Sequence, residues 1–380
     1  MLARVTVRGF RSAFDVTFSP GPLCALVGEA NTGKSNLLLA IRALLDPDAP
    51  PFTPEDLAYG SSRIEVEGLL RDGRRVSLEE QHDTPTVLFF PSALRSNLLI
   101  PPRTRREEPA HPAVEQIERA LTDQIVPRLA LIGCVEGWCE HGAGGVVLLI
   151  EEPELYLRPQ EQRYFYRLLH ELGDGGCQVI YSTHSPSFLN VARLNELALV
   201  ERDPESGTRV VQPRSIAADE DFRVLTEFDA ERGELFLARA AILVEGLTEK
   251  LALPFVFAAL GRDADREAIS IVECGGKSNI PLFAGICKAA RVPFVAVHDR
   301  DAEPGQEPIL SEQVLNARIA EVAGKRRTVV LEPDFEGIAG LRGSAHKPER
   351  AWRSFGSLTA EDVPEPLARV VRLAVRMARD

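Results

Sequence analysis

The chain has few lysines. Only Lys34, Lys250, Lys277, Lys288, Lys325 and Lys347 occur in 380 residues, so arginine supplies most of the positive charge and a lysine inside a motif is informative. The six cysteines (Cys24, Cys134, Cys139, Cys177, Cys274, Cys287) show neither CxxC nor finger spacing. That excludes a zinc module and a disulfide scaffold and fits a reducing compartment. No apolar run approaches the ~18 residues that span a bilayer. Met1-Leu2-Ala3-Arg4 leads into strand-like alternation rather than a secretory signal. A cytoplasmic protein without a membrane segment is therefore expected. Positive charge is also in deficit. The net charge of −12 argues against a surface that grips nucleic acid over its whole extent, and leaves room only for local contact.

What is present is the balance of a globular protein, 44% hydrophobic and 26% charged, long enough for two or three domains. Leu2 to Val16 alternates as paired strands around Gly9, and the short runs of 63–90 read as an antiparallel sheet. The charged, proline-rich stretch Pro101 to Pro112 reads as an exposed loop, and a helix is expected from Val114 to about Glu136. Val146 to Ile150 and Gln178 to Tyr181 read as buried strands with a helix between them. Residues 195–213 read as a hairpin turning at Asp203 to Gly207. Residues 217–238 are charged, helical and without a strong strand, which places a linker between segments 1–216 and 239–380. The second segment alternates strands (Ala240 to Val244, Ile269 to Val272, Phe294 to Val297, Thr328 to Leu331) with helices, predicting a mostly parallel sheet and a helical tail.

Gly28 to Ser35 matches GxxxxGK[ST] in full, between an apolar strand and a helix start. Glycines at Gly28 and Gly33 let backbone N–H groups wrap phosphates; Lys34 reaches the β and γ oxygens and Ser35 can hold Mg²⁺, with Asn31 in the same loop and Asn36 opening the helical stretch after it. The run Val146 to Ile150 delivers Glu151 to the magnesium side of this loop, and Glu152 stands next to it to orient or deprotonate a water. Tyr181-Ser182-Thr183-His184 ends the next strand and would place the His184 imidazole beside the γ-phosphate. ATP is the expected nucleotide.

The second half carries acids at strand ends. Ala241 to Val244 runs into Glu245, and Glu249 follows one helical turn later. Val292 to Val297 runs into His298-Asp299-Arg300-Asp301, where the two aspartates share a face. Thr328 to Leu331 runs into Glu332-Pro333-Asp334-Phe335-Glu336. The carboxyl edge of a parallel sheet is where α/β folds place ligands. Crowded carboxylates repel unless cations bind among them, and oxygen donors suit Mg²⁺ or Mn²⁺, with Ca²⁺ an option. Two such ions can drive phosphodiester cleavage. The bland alternative is that each acid caps a helix or solvates a loop.

The first half resembles an ABC-type ATPase of the branch that includes RecF and the structural-maintenance-of-chromosomes proteins, on the segments "GEANTGKSN" and "LLIEEPELYLRP…YSTHSP". The counterpart of that branch's serine-glycine signature is Leu121-Thr122-Asp123-Gln124, which lacks the glycine and leaves fast hydrolysis unassured. The second half resembles a Toprim domain, and the two together resemble the overcoming lysogenization defect (OLD) family of nucleases, on "LVEGLTE", "GGK", "HDRD", "LEPDFE" and "HKPERAW". The likeness implies an α/β chain with an ABC-type P-loop ATPase domain at 1–216, a helical linker, and a Toprim nuclease domain at 239–380. It further implies that Glu245, Glu249, Asp299, Asp301 and Glu332 bind metals, with Asp334 and Glu336 as further contributors. Lys347 would stabilise charge on the scissile phosphate, and Lys277 would orient a loop or touch DNA. An ATP-regulated, metal-dependent DNA endonuclease, dimeric or larger, is the reading that follows, with a helicase or other defence partner and a role in phage defence or DNA repair. The alternative is a nucleotide-switched DNA-binding or signalling ATPase whose Toprim half does not cut. RNA remains an open substrate, and Arg103, Arg105, Arg106, Arg342 and Arg350 read as solvated surface charges or, alternatively, as phosphate contacts. No tyrosine lies in the acidic motifs, which disfavours a topoisomerase.

Overall fold

The computed structural model describes residues 1–81, 84–92, 135, 145–190, 193–213, 230–302, 305–340 and 347–379. It divides into two compact units, Met1–Pro213 and Arg214–Asp380.

In the first unit, ten strands among the described residues form one sheet in the order β5-β4-β1-β2-β10-β9-β3-β8-β7-β6. They are β1 (Leu2–Phe10), β2 (Ala13–Phe18), β3 (Leu23–Val27), β4 (Glu65–Leu70), β5 (Arg75–Ser77), β6 (Thr86–Phe90), β7 (Val146–Glu151), β8 (Gln178–Thr183), β9 (Leu197–Asp203) and β10 (Gly207–Val211). From β5 to β9 every neighbour is antiparallel; from β9 to β6 every neighbour is parallel. The composition explains the change of sense. β3 and β7 up to Ile150 are apolar runs, and every residue of β3, β7 and β8 is buried, as central parallel strands require. β1 instead alternates buried with exposed positions over much of its length.

Helix α1 (Lys34–Leu45) buries Leu37, Leu38, Ile41, Leu44 and Leu45 against Leu26, Val147, Leu149 and Ile180. The intervening, equally buried Ala25, Leu148, Val179 and Tyr181 point to the other face, and α2 (Pro159–Asp174) packs on β3 and β8. The fully buried Gln178 stitches the start of the chain to β8. Its Oε1 accepts from Leu2 N at 2.8 Å, and its Nε2 donates to Leu2 O at 2.8 Å and Gly21 O at 3.0 Å.

Two expectations are corrected here. The β1–β2 turn falls at Arg11-Ser12, with Phe10 paired to Ala13, and Gly9 lies inside β1. A β-carbon at Gly9 would stand 2.2 Å from Arg63 O, so glycine marks a close approach of backbones and not a turn. β6 does not join the antiparallel sheet with β4 and β5; it pairs in parallel with β7 at the opposite edge. The connection of more than fifty residues between β6 and β7 permits a crossover that a tight hairpin would forbid. The β9–β10 hairpin turns where the sequence places it. The expected helix of Val114 to Glu136, apart from Val135, and the segment Leu121 to Gln124 lie outside the described residues, as do Arg103, Arg105, Arg106, Arg342 and 217–229 of the linker.

In the second unit the sheet order is β12-β11-β13-β14, every neighbouring pair parallel. The strands are β11 (Ala240–Val244), β12 (Ile269–Glu273), β13 (Phe294–Asp299) and β14 (Thr328–Leu331). Between and after them run α3 (Leu247–Ala259), α4 (Ile280–Ala289), α5 (Leu310–Ala323), α6 (Lys347–Phe355) and α7 (Glu365–Arg379). Ile242, Val244, Val295 and Val297 face a core completed by Leu253, Val256 and Phe257 of α3 and by Val370, Val371 and Ala374 of α7. Helix α4 packs against β11 and β13, and α5 against β13 and β14. Both units are α/β, and the parallel strands of each bring their carboxyl ends to one edge.

Candidate functional site

The parallel register sets Val27 beside Thr183 and Glu151 beside Ser182. The ends of β3, β8 and β7 therefore open side by side, and the loop Gly28 to Gly33 emerges at that edge. Gly33 takes φ 105° and its β-carbon would meet Thr208 Oγ1 at 2.2 Å, so no other residue fits there without displacement. Lys34, 6% exposed, curls back over the loop and donates to Gly28 O at 2.9 Å and Glu29 O at 2.7 Å. Burial lowers its pKa, and Glu152, Glu154 and Glu29 oppose that shift. Ser35 is exposed, and Asn36 is engaged with Ser12 Oγ at 2.8 Å and Arg11 Nη1 at 3.2 Å. Arg202 Nη1 donates to Asn31 O at 3.3 Å.

Glu151 is buried at the end of β7, where Oε2 accepts from Ser92 N at 3.0 Å and Ser92 Oγ at 3.2 Å. Glu152 follows with φ 48°, its N–H donating to Ser182 O at 2.9 Å, and its Oε1 stands 4.0 Å from His184 Nε2. Burial first, then Lys34, holds the His184 pKa below its ordinary value, so the imidazole is neutral at pH 7. Glu154 positions this pair. Its Oε1 accepts from His184 N at 2.6 Å and its Oε2 from Thr183 Oγ1 at 3.0 Å. Ser92 and Glu154 are the residues sequence reasoning left without a role. Glu154→Ala is expected to slow nucleotide turnover roughly 10–100-fold by freeing the His184 backbone, with a stability loss of about 1–2 kcal/mol. Steady-state turnover and a thermal melt check both.

In the second unit the acids gather at the carboxyl edge of β11 and β13. Glu245 Oε1 accepts from Asp299 N at 2.6 Å, and Asp299 Oδ1 accepts from Phe335 N at 2.8 Å. Glu249 and Asp299 are 8% and 9% exposed. Burial is the main cause that pushes Glu245 to about 7, with Glu249 and Asp301 adding to it against the Asp299 amide. Burial likewise raises Glu249 to about 7, helped by Asp299 and Glu336. Asp299 rises to about 8 through burial and then Glu245. Glu336 thus presses on two of the three, a role the sequence did not separate from that of its neighbours.

Asp301, at φ 58°, is held by the nearly buried Lys277, whose Nζ donates to Asp301 Oδ2 at 2.5 Å and Glu312 Oε2 at 2.8 Å. Burial alone would lower the Lys277 pKa, but those two bonds leave it raised. Lys277 is accordingly an internal cation and not an open DNA contact. Glu332 is drawn away: its side chain is 64% exposed and its Oε1 stands 3.8 Å from Arg300 Nη1. Asp334 caps the one-turn helix Phe335–Ile338 through Gly337 N at 2.6 Å, as the bland alternative holds for a single acid. Lys347 opens α6, and its side chain lies outside the described residues; Arg350 is exposed on the same helix.

As the side chains stand, no three His, Cys, Asp or Glu among the described residues converge closely enough to hold an ion. Three of the donors are spoken for, Glu245 and Asp299 by backbone amides and Asp301 by an ammonium. The donor set nevertheless fits a hard divalent cation. It is all carboxylate oxygen, and it is crowded enough that burial favours protonation in the absence of a counter-charge.

A model of the overcoming lysogenization defect protein-like TOPRIM domain matches residues 236–301, and a model of the AAA ATPase domain matches residues 130–189. The OLD nuclease of Thermus scotoductus is 37% identical over 273 residues, 66% of this chain and 51% of that protein. The Old nuclease of Escherichia phage P2 is 25% identical over 237 residues, 60% of this chain and 39% of that protein. The chain thus spans about half the length, or less, of these curated relatives. The solved C-terminal region of the Burkholderia pseudomallei OLD protein overlaps 37% of this chain and 98% of its own at 17% identity, with a TM-score of 0.30, too low to carry weight. The TOPRIM match falls on β11 to Asp301 and the AAA ATPase match on the segment that carries β7, α2 and β8, so the chain resembles the OLD nucleases in joining an ATPase region to a Toprim region.

Proposed function

We propose that the chain is an ATP-binding, divalent-metal-dependent DNA endonuclease. The observation that carries this reading is that Glu245, Glu249 and Asp299 stand at one sheet edge inside the TOPRIM-matched segment, Glu249 and Asp299 buried and Glu245 partly so, all with raised pKa values. In this reading Glu245, Glu249, Asp299 and Asp301 would hold the metal, with Glu336, whose charge raises the pKa of Glu249 and Asp299, as a further contributor. Glu332 contributes only after leaving Arg300. Mg²⁺ or Mn²⁺ bound there supplies activation of a water and stabilisation of the leaving oxygen in phosphodiester cleavage. Lys347 offers positive charge to the scissile phosphate.

In the ATPase unit the loop from Gly28 through Asn31 and Gly33 wraps the phosphates, and Lys34 leaves its loop carbonyls to meet them. Ser35 and Glu151 would hold the accompanying Mg²⁺, with Asn36 at the start of the same helix as Ser35. Glu152 orients a water, and the neutral His184 beside it donates a hydrogen bond to the γ-phosphate. We further propose that the chain works in the cytoplasm as a homodimer or larger assembly, in phage defence or DNA repair, alone or with a helicase-type partner. No helix among the described residues is long and apolar enough to cross a membrane.

The test is supercoiled plasmid incubated with purified protein and Mg²⁺, Mn²⁺ or Ca²⁺, with and without ATP. Metal-dependent nicking that Glu245→Ala abolishes is the expected result. Absence of nicking with every metal, ATP still binding, would leave a nucleotide-switched binding protein whose Toprim region does not cut.

A further inference from the structure

We infer that Lys277 competes with a divalent cation for Asp301, so that the chain of contacts Glu312–Lys277–Asp301 sets how tightly the carboxylate site takes up metal. The inference rests on the nuclease reading above and adds a control to it. Lys277 is no wandering surface charge. It is 8% exposed and its ammonium donates to Asp301 Oδ2 at 2.5 Å and to Glu312 Oε2 at 2.8 Å. The turn that carries it is anchored to the site as well. Gly276 N donates to Glu245 O at 2.8 Å, and the buried Asn279 Nδ2 donates to Cys274 O at 2.9 Å. The ammonium is therefore fixed by elements that also fix Glu245, and the entropic cost of holding a lysine in one place is already met by the fold.

Two effects oppose each other when a cation approaches Asp301. Lys277 holds the carboxylate in one orientation, which favours binding, and repels a second positive charge, which disfavours it. Fixing one short side chain is a small effect. A divalent ion a few ångströms from an ammonium, in a partly buried site where the effective dielectric is far below that of water, feels a much larger one. Repulsion therefore wins, and removal of Lys277 tightens metal binding. Glu312 acts in the reverse sense. Its carboxylate, 27% exposed on α5, shares the ammonium and draws part of its charge from Asp301. Without Glu312 the ammonium belongs to Asp301 alone, and metal binds less well.

The experiment is Mn²⁺ binding to the full chain without nucleotide, read by electron paramagnetic resonance of free Mn²⁺, for wild type, Lys277→Met, Lys277→Gln and Glu312→Gln. The Kd should fall about tenfold in both Lys277 variants and rise a few-fold in Glu312→Gln. Thermal melts in chelator confirm that each variant is folded, and Glu312→Gln, on a partly exposed helix face, keeps the test open should a Lys277 variant fail to fold. Kd values within twofold of wild type, or weaker binding in the Lys277 variants, would overturn the inference and leave Lys277 as a support for Asp301. Asp299→Asn separates the two readings. Wild-type binding that Asp299→Asn abolishes but Lys277 does not tune refutes only the competition; no Mn²⁺ uptake by any form refutes the metal site and the competition together.

Discussion

Asp299→Asn should reduce metal-dependent cleavage by about 1000-fold or more and at the same time make the metal-free protein more stable. The substitution keeps the shape: Oδ1 of asparagine can still accept from Phe335 N, the bond that seats the segment after β14. What it removes is a charge that burial and Glu245 push up to about 8. The ordinary aspartate pKa is near 3.9. With the folded-state value raised, the contribution of this group to stability is fully present below about pH 4 and is lost as the pH rises toward 8. Asparagine has no proton to lose, so the variant should gain on the order of 1–3 kcal/mol over wild type at pH 8, and nothing near pH 4. Melts in chelator between those pH values read this as a gap of several degrees that opens with pH. A variant less stable than wild type at pH 8 would contradict the account of a strained anion cluster.

Lys34→Ala should weaken ATP binding roughly 100–1000-fold, the worth of about two charge-assisted hydrogen bonds to phosphate. The lysine is already inside the loop, bonded to Gly28 O and Glu29 O, so its removal leaves those carbonyls to water and not to a void in the core. The melting temperature should therefore move little while calorimetric binding of MgATP disappears. The same variant decides the coupling between the two activities: plasmid nicking that survives makes ATP a modulator, and nicking that vanishes makes nucleotide binding obligatory.

Much of this was legible in the chain because the informative signals are local. Gly28 to Ser35 is contiguous, β3 and β7 up to Ile150 are apolar runs, and Glu245, Asp299 and Asp301 sit directly at strand ends. The rest depends on contacts across long separations. β6 reads like β4, and only its pairing with β7 reveals it as a parallel edge strand. Glu332, Asp334 and Glu336 look alike in sequence, yet Pro333 breaks the alternation. The first faces Arg300, the second caps a helix, and the third lies against the cluster. Lys277 was read as a loop or DNA contact because its partner Glu312 is 35 residues away on another helix. Ser92 meets Glu151 only because β6 and β7 lie side by side.

The sheet of the first unit also governs the order in which the molecule can be made. β3 is flanked by β8 and β9, which follow it late in the unit, and Leu2 bonds to Gln178 across a separation of 176 residues. The phosphate loop therefore has no walls until β8 and β9 have been synthesised, and closing so long a loop is slow. The strands of the second unit pair with partners far nearer in the chain. Nascent chains thus carry an unpaired, wholly apolar β3 for most of the synthesis of the first unit, the interval in which this protein is most exposed to aggregation and most dependent on chaperones.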